Sequence, residues 1–464
     1  MSQRTTAPAG PSQVIDVRAS KRSLVGGCVG NFIEWYEFGV YGYFATVIAG
    51  AFFATSGPGD LEALVKTYAS FAIAFFFRPV GAWLFGRVGD RVGRRPTLVL
   101  VLLLMALGTA LIGVLPTRAT VGAAAPVLLT LVRILQGLSA GGEFGGAVSL
   151  MTEHAPAGRR GLYGSWQSFT VALGLLGGAG TAAVLAVVLS DQQLHSWGWR
   201  VPFLLALPLG AAALWVRLKV EETPVFRAAT AEEQGLPTPA SGSPAATAAE
   251  DTAVRPAAGE AAPEAPTSTG VAILLGILRL MGWAAAGYTF LVVMPSYLQV
   301  SLGTSFRESL IAGVIANVGF AASILPAGAL SDRVGRKPLM VTGAALIAVL
   351  ALPMLNLLQA PGTSTGTKFL VVFVAGAIVG LMAGPGPAML AEMFHTTVRY
   401  TGLGMSYSLA NAVFAGSAGL IITEVIKRTG NADIPAWYVM ATCVVSALAC
   451  LWLRADDHRR ALPR

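Results

Sequence analysis

Apolar runs recur along all 464 residues, and each is close to the ~20 residues that a helix needs to cross the hydrocarbon core of a bilayer. Inside lipid a segment must satisfy its own backbone N–H and C=O groups, so only helices or a closed barrel can span. The runs show no period-two alternation, which excludes the barrel. The chain is therefore expected to be an all-α membrane protein. Twelve transmembrane helices are predicted over residues 24–54, 62–86, 96–116, 121–152, 160–190, 200–217, 270–300, 308–330, 338–358, 367–391, 401–426 and 435–454. Turns marked by Gly, Pro and Asp separate them, as at Ser56-Gly-Pro-Gly-Asp60 and Ala360-Pro-Gly-Thr-Ser364. Only 12% of residues are charged, against roughly 25% in soluble chains.

The net charge of +8 would suit a nucleic-acid partner, but its placement argues for a membrane. With the N-terminus inside, 22 Lys and Arg fall on the inner side, 7 on the outer side, and 3 (Arg78, Arg133 and Arg279) in or near the spans. This positive-inside bias predicts both termini in the cytoplasm. The polar tail 1–23 lacks the apolar core and cleavage site of a signal peptide, so the first span is expected to be retained. Cys28, Cys443 and Cys450 all lie in apolar segments and imply no disulfide framework. A stretch rich in Ala, Pro, Glu, Thr and Ser at 228–268 cannot bury enough apolar surface to fold. It reads as part of a disordered cytoplasmic linker, 219–269, between six-helix halves at 24–218 and 270–454, with a short tail at 455–464.

An eleven-residue stretch occurs twice, as Gly86-Arg-Val-Gly-Asp90-Arg-Val-Gly-Arg94-Arg-Pro96 and Gly328-Ala-Leu-Ser-Asp332-Arg-Val-Gly-Arg336-Lys-Pro338. Each copy sits between two apolar runs and reads as a tight basic turn. The repeat extends further: Glu153 precedes Arg159 and Gly161, and Glu392 precedes Arg399 and Gly402. Each half thus offers Asp, Arg and Glu on one membrane face. Repeats at half-chain spacing are how many transporters are built. The pattern resembles the signature loop of the major facilitator superfamily. The resemblance implies two pseudo-symmetric six-helix halves, and loops whose charges latch the cytoplasmic ends while that side is shut. The gating residues it implies are Gly86, Asp90, Arg94 and Glu153, then Gly328, Asp332, Arg336 and Glu392.

Charges within the spans are the candidates for chemistry, because an intramembrane ionisable residue must face the bundle interior or a water-filled cavity. Spacings of three and four put Glu34, Glu37 and Tyr41 on one helical face. A carboxyl in such a place can take and release protons near neutral pH. In the fourth run, Arg133, Gln136, Ala140 and Glu143 fall on one stripe at 100° per residue. The Gly pairs beside them allow close approach of another helix or local unwinding. Arg133 calls for an anionic partner: Glu34, Glu37 or a substrate carboxylate, which suits the guanidinium fork. Arg78 pairs with Glu34 or Glu37, or snorkels. Glu34, Glu37 and Glu143 are the proton-coupling candidates; Arg133, Gln136, Tyr41 and Arg78 are the substrate-binding ones. Gly384-Pro-Gly-Pro387 reads as a structural kink. The glycines of the fourth run follow no strand and do not match a nucleotide loop. No Cys/His cluster suggests a metal and no Ser/His pairing suggests hydrolysis, so neither a cofactor nor an enzyme activity is expected.

Several segments narrow the resemblance: Gly30-Asn-Phe-Ile-Glu-Trp-Tyr-Glu37, Arg78-Pro-Val-Gly81, 133–146, Trp197-Gly-Trp-Arg-Val-Pro-Phe203, Glu221-Glu-Thr-Pro-Val-Phe226 and 391–402. Together they resemble the metabolite:proton symporter branch, over nearly all of 24–454. Met294-Pro-Ser-Tyr-Leu298, Glu221-Glu-Thr-Pro-Val-Phe226 and Ile434-Pro-Ala-Trp-Tyr438 are similar to proline/glycine betaine transporters. Arg133 in its context, Gly402-Leu-Gly-Met-Ser-Tyr407 and Asn411-Ala-Val-Phe-Ala-Gly416 are similar to α-ketoglutarate permeases. Glu37 stands where the branch usually has Asp. No coiled-coil extension follows the last span, which weakens an osmosensor reading. The resemblance implies proton-coupled uptake of a small carboxylate-bearing solute by alternating access, in a protein functional as a monomer in the inner membrane. The alternatives are a proton-antiport exporter and a non-transporting sensor on the same fold.

Overall fold

The computed structural model describes residues 17–54, 60–92, 94–153, 155–156, 158–218 and 268–453. Twelve helical spans run through them. The first, α1, is Val17–Tyr43 continued by Ala45–Ile48 and a π-turn at Ala49–Phe53. Leu61–Val92 is α2 and Arg94–Val114 is α3. Ala124–Ser139, a 3-10 turn at Ala140–Gly142 and Glu143–Glu153 form α4. Arg160–Val188 is α5, and α6 is Ala206–Leu218 after the short turns Gly198–Arg200 and Val201–Leu204. In the second half, α7 is Thr269–Tyr288, a π-turn Thr289–Val293 and Met294–Leu302. Phe306–Val334 is α8 and Arg336–Gln359 is α9. Thr365–Ala383 with Gly386–Ala391 makes α10. Thr396–Ala410, a π-turn Asn411–Gly416 and Ala418–Thr429 make α11, and Ile434–Leu451 is α12.

The expected spans are all present, with several bounds moved. Helix α1 begins seven residues earlier than predicted, at Val17, and α2 and α8 run on to Val92 and Val334. The signature stretches are therefore mostly helix. In the second copy only Gly335 interrupts it, with φ 96°, a conformation that costs a side-chain-bearing residue but not glycine. The tight turn is one residue long.

Burial follows the solvent order of a membrane protein. Large apolar side chains such as Trp83, Val188 and Val349 point outward, while Asn31, Glu34, Glu37, Arg78, Arg133, Gln136 and Asn317 are buried. Two helix breaks shape the interior. At Gly384 a Cβ would lie 2.6 Å from Ile324 O, so α8 can pass against the interrupted α10. The carbonyl freed at Ala383 accepts a 2.8 Å hydrogen bond from Ser168 Oγ of α5. The Gly384–Pro387 break thus lies within protein, as a structural kink requires. In α4, a Cβ at Gly137 would lie 2.0 Å from Ala74 O, so α2 and α4 cross backbone to backbone. Small residues permit such crossings between membrane helices.

Candidate functional site

Charged side chains buried between α1, α2, α3 and α4 form two linked sets. In the first, Arg78 Nη2 lies 3.0 Å from Glu34 Oε1. Its guanidinium packs over the rings of Phe75, Phe38 and Trp35 at 4.3, 4.4 and 5.8 Å. Arg78 is only 3% exposed, so it pairs inside the bundle and does not snorkel. Removing one partner of such a pair would leave a buried charge, at a cost of ~3–5 kcal/mol.

In the second set Arg133 bonds neither Glu34 nor Glu37 directly. Arg133 Nη1 donates to Gln136 Oε1 at 2.7 Å, Gln136 Nε2 donates to Thr109 Oγ1 at 2.6 Å, and Thr109 Oγ1 donates to Glu37 Oε2 at 2.6 Å. Arg133 therefore reaches Glu37 only through two side chains. Its charge also faces the rings of Tyr41, Phe71 and Phe38 at 4.2, 4.9 and 5.0 Å. Such cation–π contacts contribute up to ~2 kcal/mol each when desolvated. Tyr41 is held in place by Ser70 Oγ, 2.5 Å from its hydroxyl. Arg133 Nε and Nη2 and Glu37 Oε1 are buried with no hydrogen-bond partner. Buried polar groups are nearly always satisfied, so a donor pair and an acceptor stand ready at the two ends of one chain. Glu34 and Glu37 share a face as predicted, but three residues of rotation aim them at different neighbours.

A 3-10 turn at Ala140–Gly142 separates Arg133 from Glu143 along α4. The side chains of Glu143, Asp90, Arg94 and Glu153, and Gly86 with them, lie outside the described residues.

Between the halves lies a cavity of about 40 Å³, lined by Trp35 and Leu175 from the first half and Trp283, Tyr288, Tyr407 and Asn411 from the second. That volume admits water but no solute. Tyr288 Oη has no hydrogen-bond partner, and its ring packs on Phe75, Trp35 and Phe71 at 5.5, 5.9 and 6.1 Å. Phe71 thus contacts both Arg133 and Tyr288. The π-turns of α7 and α11 begin at Thr289 and Asn411, beside this cavity. Such turns often mark functional sites.

Both ends of the cavity are shut. At the signature-loop end, Asp332 of α8 accepts from Gly161 N and Leu162 N at 2.7 and 2.9 Å. A carboxylate there complements the N-terminus of α5. Arg336 joins Asp332 to Glu392, bonding Asp332 Oδ1 at 2.8 Å and Glu392 at 2.9 and 3.2 Å. Arg160 Nη1 lies 3.5 Å from Glu392 Oε1. Asp332, Arg336 and Glu392 therefore come together and bind the other half. Gly328 lies on the same seam, where a Cβ would lie 2.5 Å from Ser165 Oγ. At the opposite end, Thr46 bonds Gln299 at 2.9 Å, Tyr68 bonds Ser296 at 2.5 Å and Asn317 bonds Tyr43 at 3.0 Å. Arg307 Nε and Nη2 donate to Ala186 O and Val187 O at 3.3 and 3.4 Å, at the C-terminus of α5.

Thr109, Trp283 and Tyr288 were not predicted from the sequence. A lone hydroxyl inside the apolar run of α3, and amphipathic aromatics in mid-span of α7, are the signals that were available.

Residues 25–454 match the family described as sugar (and other) transporter. The chain is 32% identical to the ectoine/proline transporter ProP of Corynebacterium glutamicum, over 97% of this chain and 87% of that one. It is 33% identical to the α-ketoglutarate permease of Escherichia coli, over 96% and 95%. In fold it is similar to the partially occluded, inward-open xylose transporter XylE of E. coli, with TM-score 0.71, 18% identity and coverage of 92% and 98%. The twelve-helix fold with its duplicated signature turns, and these near full-length matches, place the chain in the sugar (and other) transporter family of the major facilitator superfamily, as a multi-pass membrane transporter.

Proposed function

We propose that the chain takes up a small carboxylate-bearing solute together with protons, by alternating access, with its signature-loop end and both termini in the cytoplasm. The observation that carries this reading is the buried Arg133–Gln136–Thr109–Glu37 chain, with unused donors on Arg133 and an unused acceptor on Glu37. An anion site and a proton site are thereby connected inside one half of the bundle. A guanidinium fork binds a carboxylate bidentately, and the relatives' named solutes (proline, ectoine, α-ketoglutarate) all bear one.

Among these, a zwitterion fits best. The cavity wall of Trp35, Trp283, Tyr288 and Tyr407 offers ring faces to an ammonium group. A dicarboxylate would need a second free cation, and Arg78 is already held by Glu34. Opening one end and swinging Phe71 would join the cavity to Arg133. The Asp332–Arg336–Glu392 cluster and its repeat counterparts at Gly86, Asp90, Arg94 and Glu153 would latch the cytoplasmic side, and the monomer is the working unit.

The test is uptake by the reconstituted protein of labelled proline, glycine betaine and α-ketoglutarate under an imposed pH gradient. Accumulation that a protonophore abolishes supports the reading. It falls if none of the three accumulates, or if the gradient drives export.

A further inference from the structure

We infer that Thr109 and Gln136 form a reversible polar switch through which a proton on Glu37 releases Arg133. Arg133 can only donate hydrogen bonds, so the atom facing it must be the oxygen of the Gln136 amide, 2.7 Å away. The Nε2 of Gln136 must then face Thr109 Oγ1, at 2.6 Å. That oxygen is now an acceptor, so its own proton goes to Glu37 Oε2, at 2.6 Å. A cation at one end thus sets the direction of every bond and demands an unprotonated oxygen at the other end. Thr109 is 0% and Gln136 1% exposed, so both are shielded from bulk solvent.

A proton reaching Glu37 has two places to go. On Oε1 it would be a buried hydroxyl without an acceptor. On Oε2 it reverses the chain: Glu37 donates to Thr109, the Thr109 hydroxyl rotates to donate to Gln136, and the amide turns to receive it on Oε1. Gln136 Nε2 then faces Arg133 Nη1, donor against donor, and that contact is lost. Nη1 joins Nε and Nη2 as a free donor, ready for an anion. The charged and titratable groups facing Glu37 are Glu34 and Tyr36 of its own helix and Arg133 of α4, with Thr109 of α3 supplying the hydrogen bond. Thr109 and Gln136 are positioning residues, acting through Arg133 on an incoming carboxylate. The proton binds first, and its binding creates the anion site.

Two readouts test this on the full-length protein in lipid. The first needs no solute and stands apart from the function proposed above. Acid-minus-neutral infrared difference spectra should show a carboxyl band lost in Glu37→Gln together with a glutamine amide band lost in Gln136→Leu. In Thr109→Val the carboxyl band should move to the position of a carboxyl without a hydrogen bond and the amide band should vanish. A carboxyl band with no accompanying amide change overturns the switch. The second rests on the proposed uptake and uses labelled glycine betaine and proline. Acidification should strengthen binding by up to about tenfold per pH unit, the limit for one linked proton. Thr109→Val should reduce this to under twofold, and Thr109→Ser should restore it. A Thr109→Val protein that keeps the full pH dependence also overturns the switch. If the wild-type protein binds neither solute, the proposed function fails and the infrared result alone decides the switch.

Discussion

Asp332 is the one described side chain of the signature loop that bonds backbone across the seam, and Asp332→Asn should open that end of the transporter. Its carboxylate accepts from Gly161 N and Leu162 N, and from Arg336 Nη1, which also holds Glu392. Hydrogen bonds to a charged group contribute ~1.5–3 kcal/mol each. The asparagine keeps one acceptor for one backbone N–H, but its amide turns a donor toward the other. The net charge at the N-terminus of α5 is also lost, an effect of up to ~2 kcal/mol. Some of this is regained as water reaches the freed groups, so a loss of about 2–3 kcal/mol is reasonable. At 1.4 kcal/mol per factor of ten, that raises the open population roughly 30- to 150-fold. Ser165 is fully buried on the same seam, against Gly328. A cysteine there, with Cys28, Cys443 and Cys450 replaced, reports opening through its labelling rate by a membrane-impermeant maleimide applied at the loop end. An acceleration below threefold would refute the assignment of Asp332 as a latch between the halves.

Arg307→Ala removes two longer contacts at the other end of α5, 3.3 and 3.4 Å. It should accelerate labelling from the opposite side about threefold and leave loop-end labelling unchanged. Gly137→Leu should abolish folding, because even its Cβ would lie 2.0 Å from Ala74 O; overpacking typically costs ~1–3 kcal/mol, and backbone cannot yield here as a side chain would. The expected readout is loss of the monodisperse peak in detergent. Arg133→Lys should weaken glycine betaine binding about tenfold or more, since a point charge replaces a bidentate fork; unchanged affinity would make Arg133 structural. Cysteines at Val92 and Val334 should both be labelled from the cytoplasmic side alone, and periplasmic labelling of either would refute the proposed orientation.

How much of this was legible beforehand follows from how local each constraint is. A span must satisfy its own backbone hydrogen bonds in lipid, so the apolar run itself carries the information. The twelve spans, the helical class and the duplicated turns could thus be read from residues in series. The requirement for glycine at Gly335 is equally local, since φ 96° belongs to that residue alone. Even so, the signature stretch reads as a turn in the sequence, while most of it is helix. Its Gly, Pro and charged residues look like loop composition, yet Asp332 and Arg336 sit at helix ends, where they find partners on other spans.

Which charge meets which could not be read in this way. Glu34 and Glu37 lie three residues apart on one helix, and only the packing of α1 against both α2 and α3 sends one to Arg78 and the other to Thr109. Thr109 carries no signal beyond being polar in an apolar run; its role exists because α3 brings it between α1 and α4. Asp332 met the N-terminus of α5 in the other half, a partner 171 and 170 residues away in sequence. The sequence by itself determined the spans, their repeat and the identity of the buried charges, because lipid imposes those conditions on each segment separately. The pairing of the charges, the polarity of the Arg133–Glu37 chain and the closure of both ends came only from the tertiary structure, because each depends on the rotation of one helix against another.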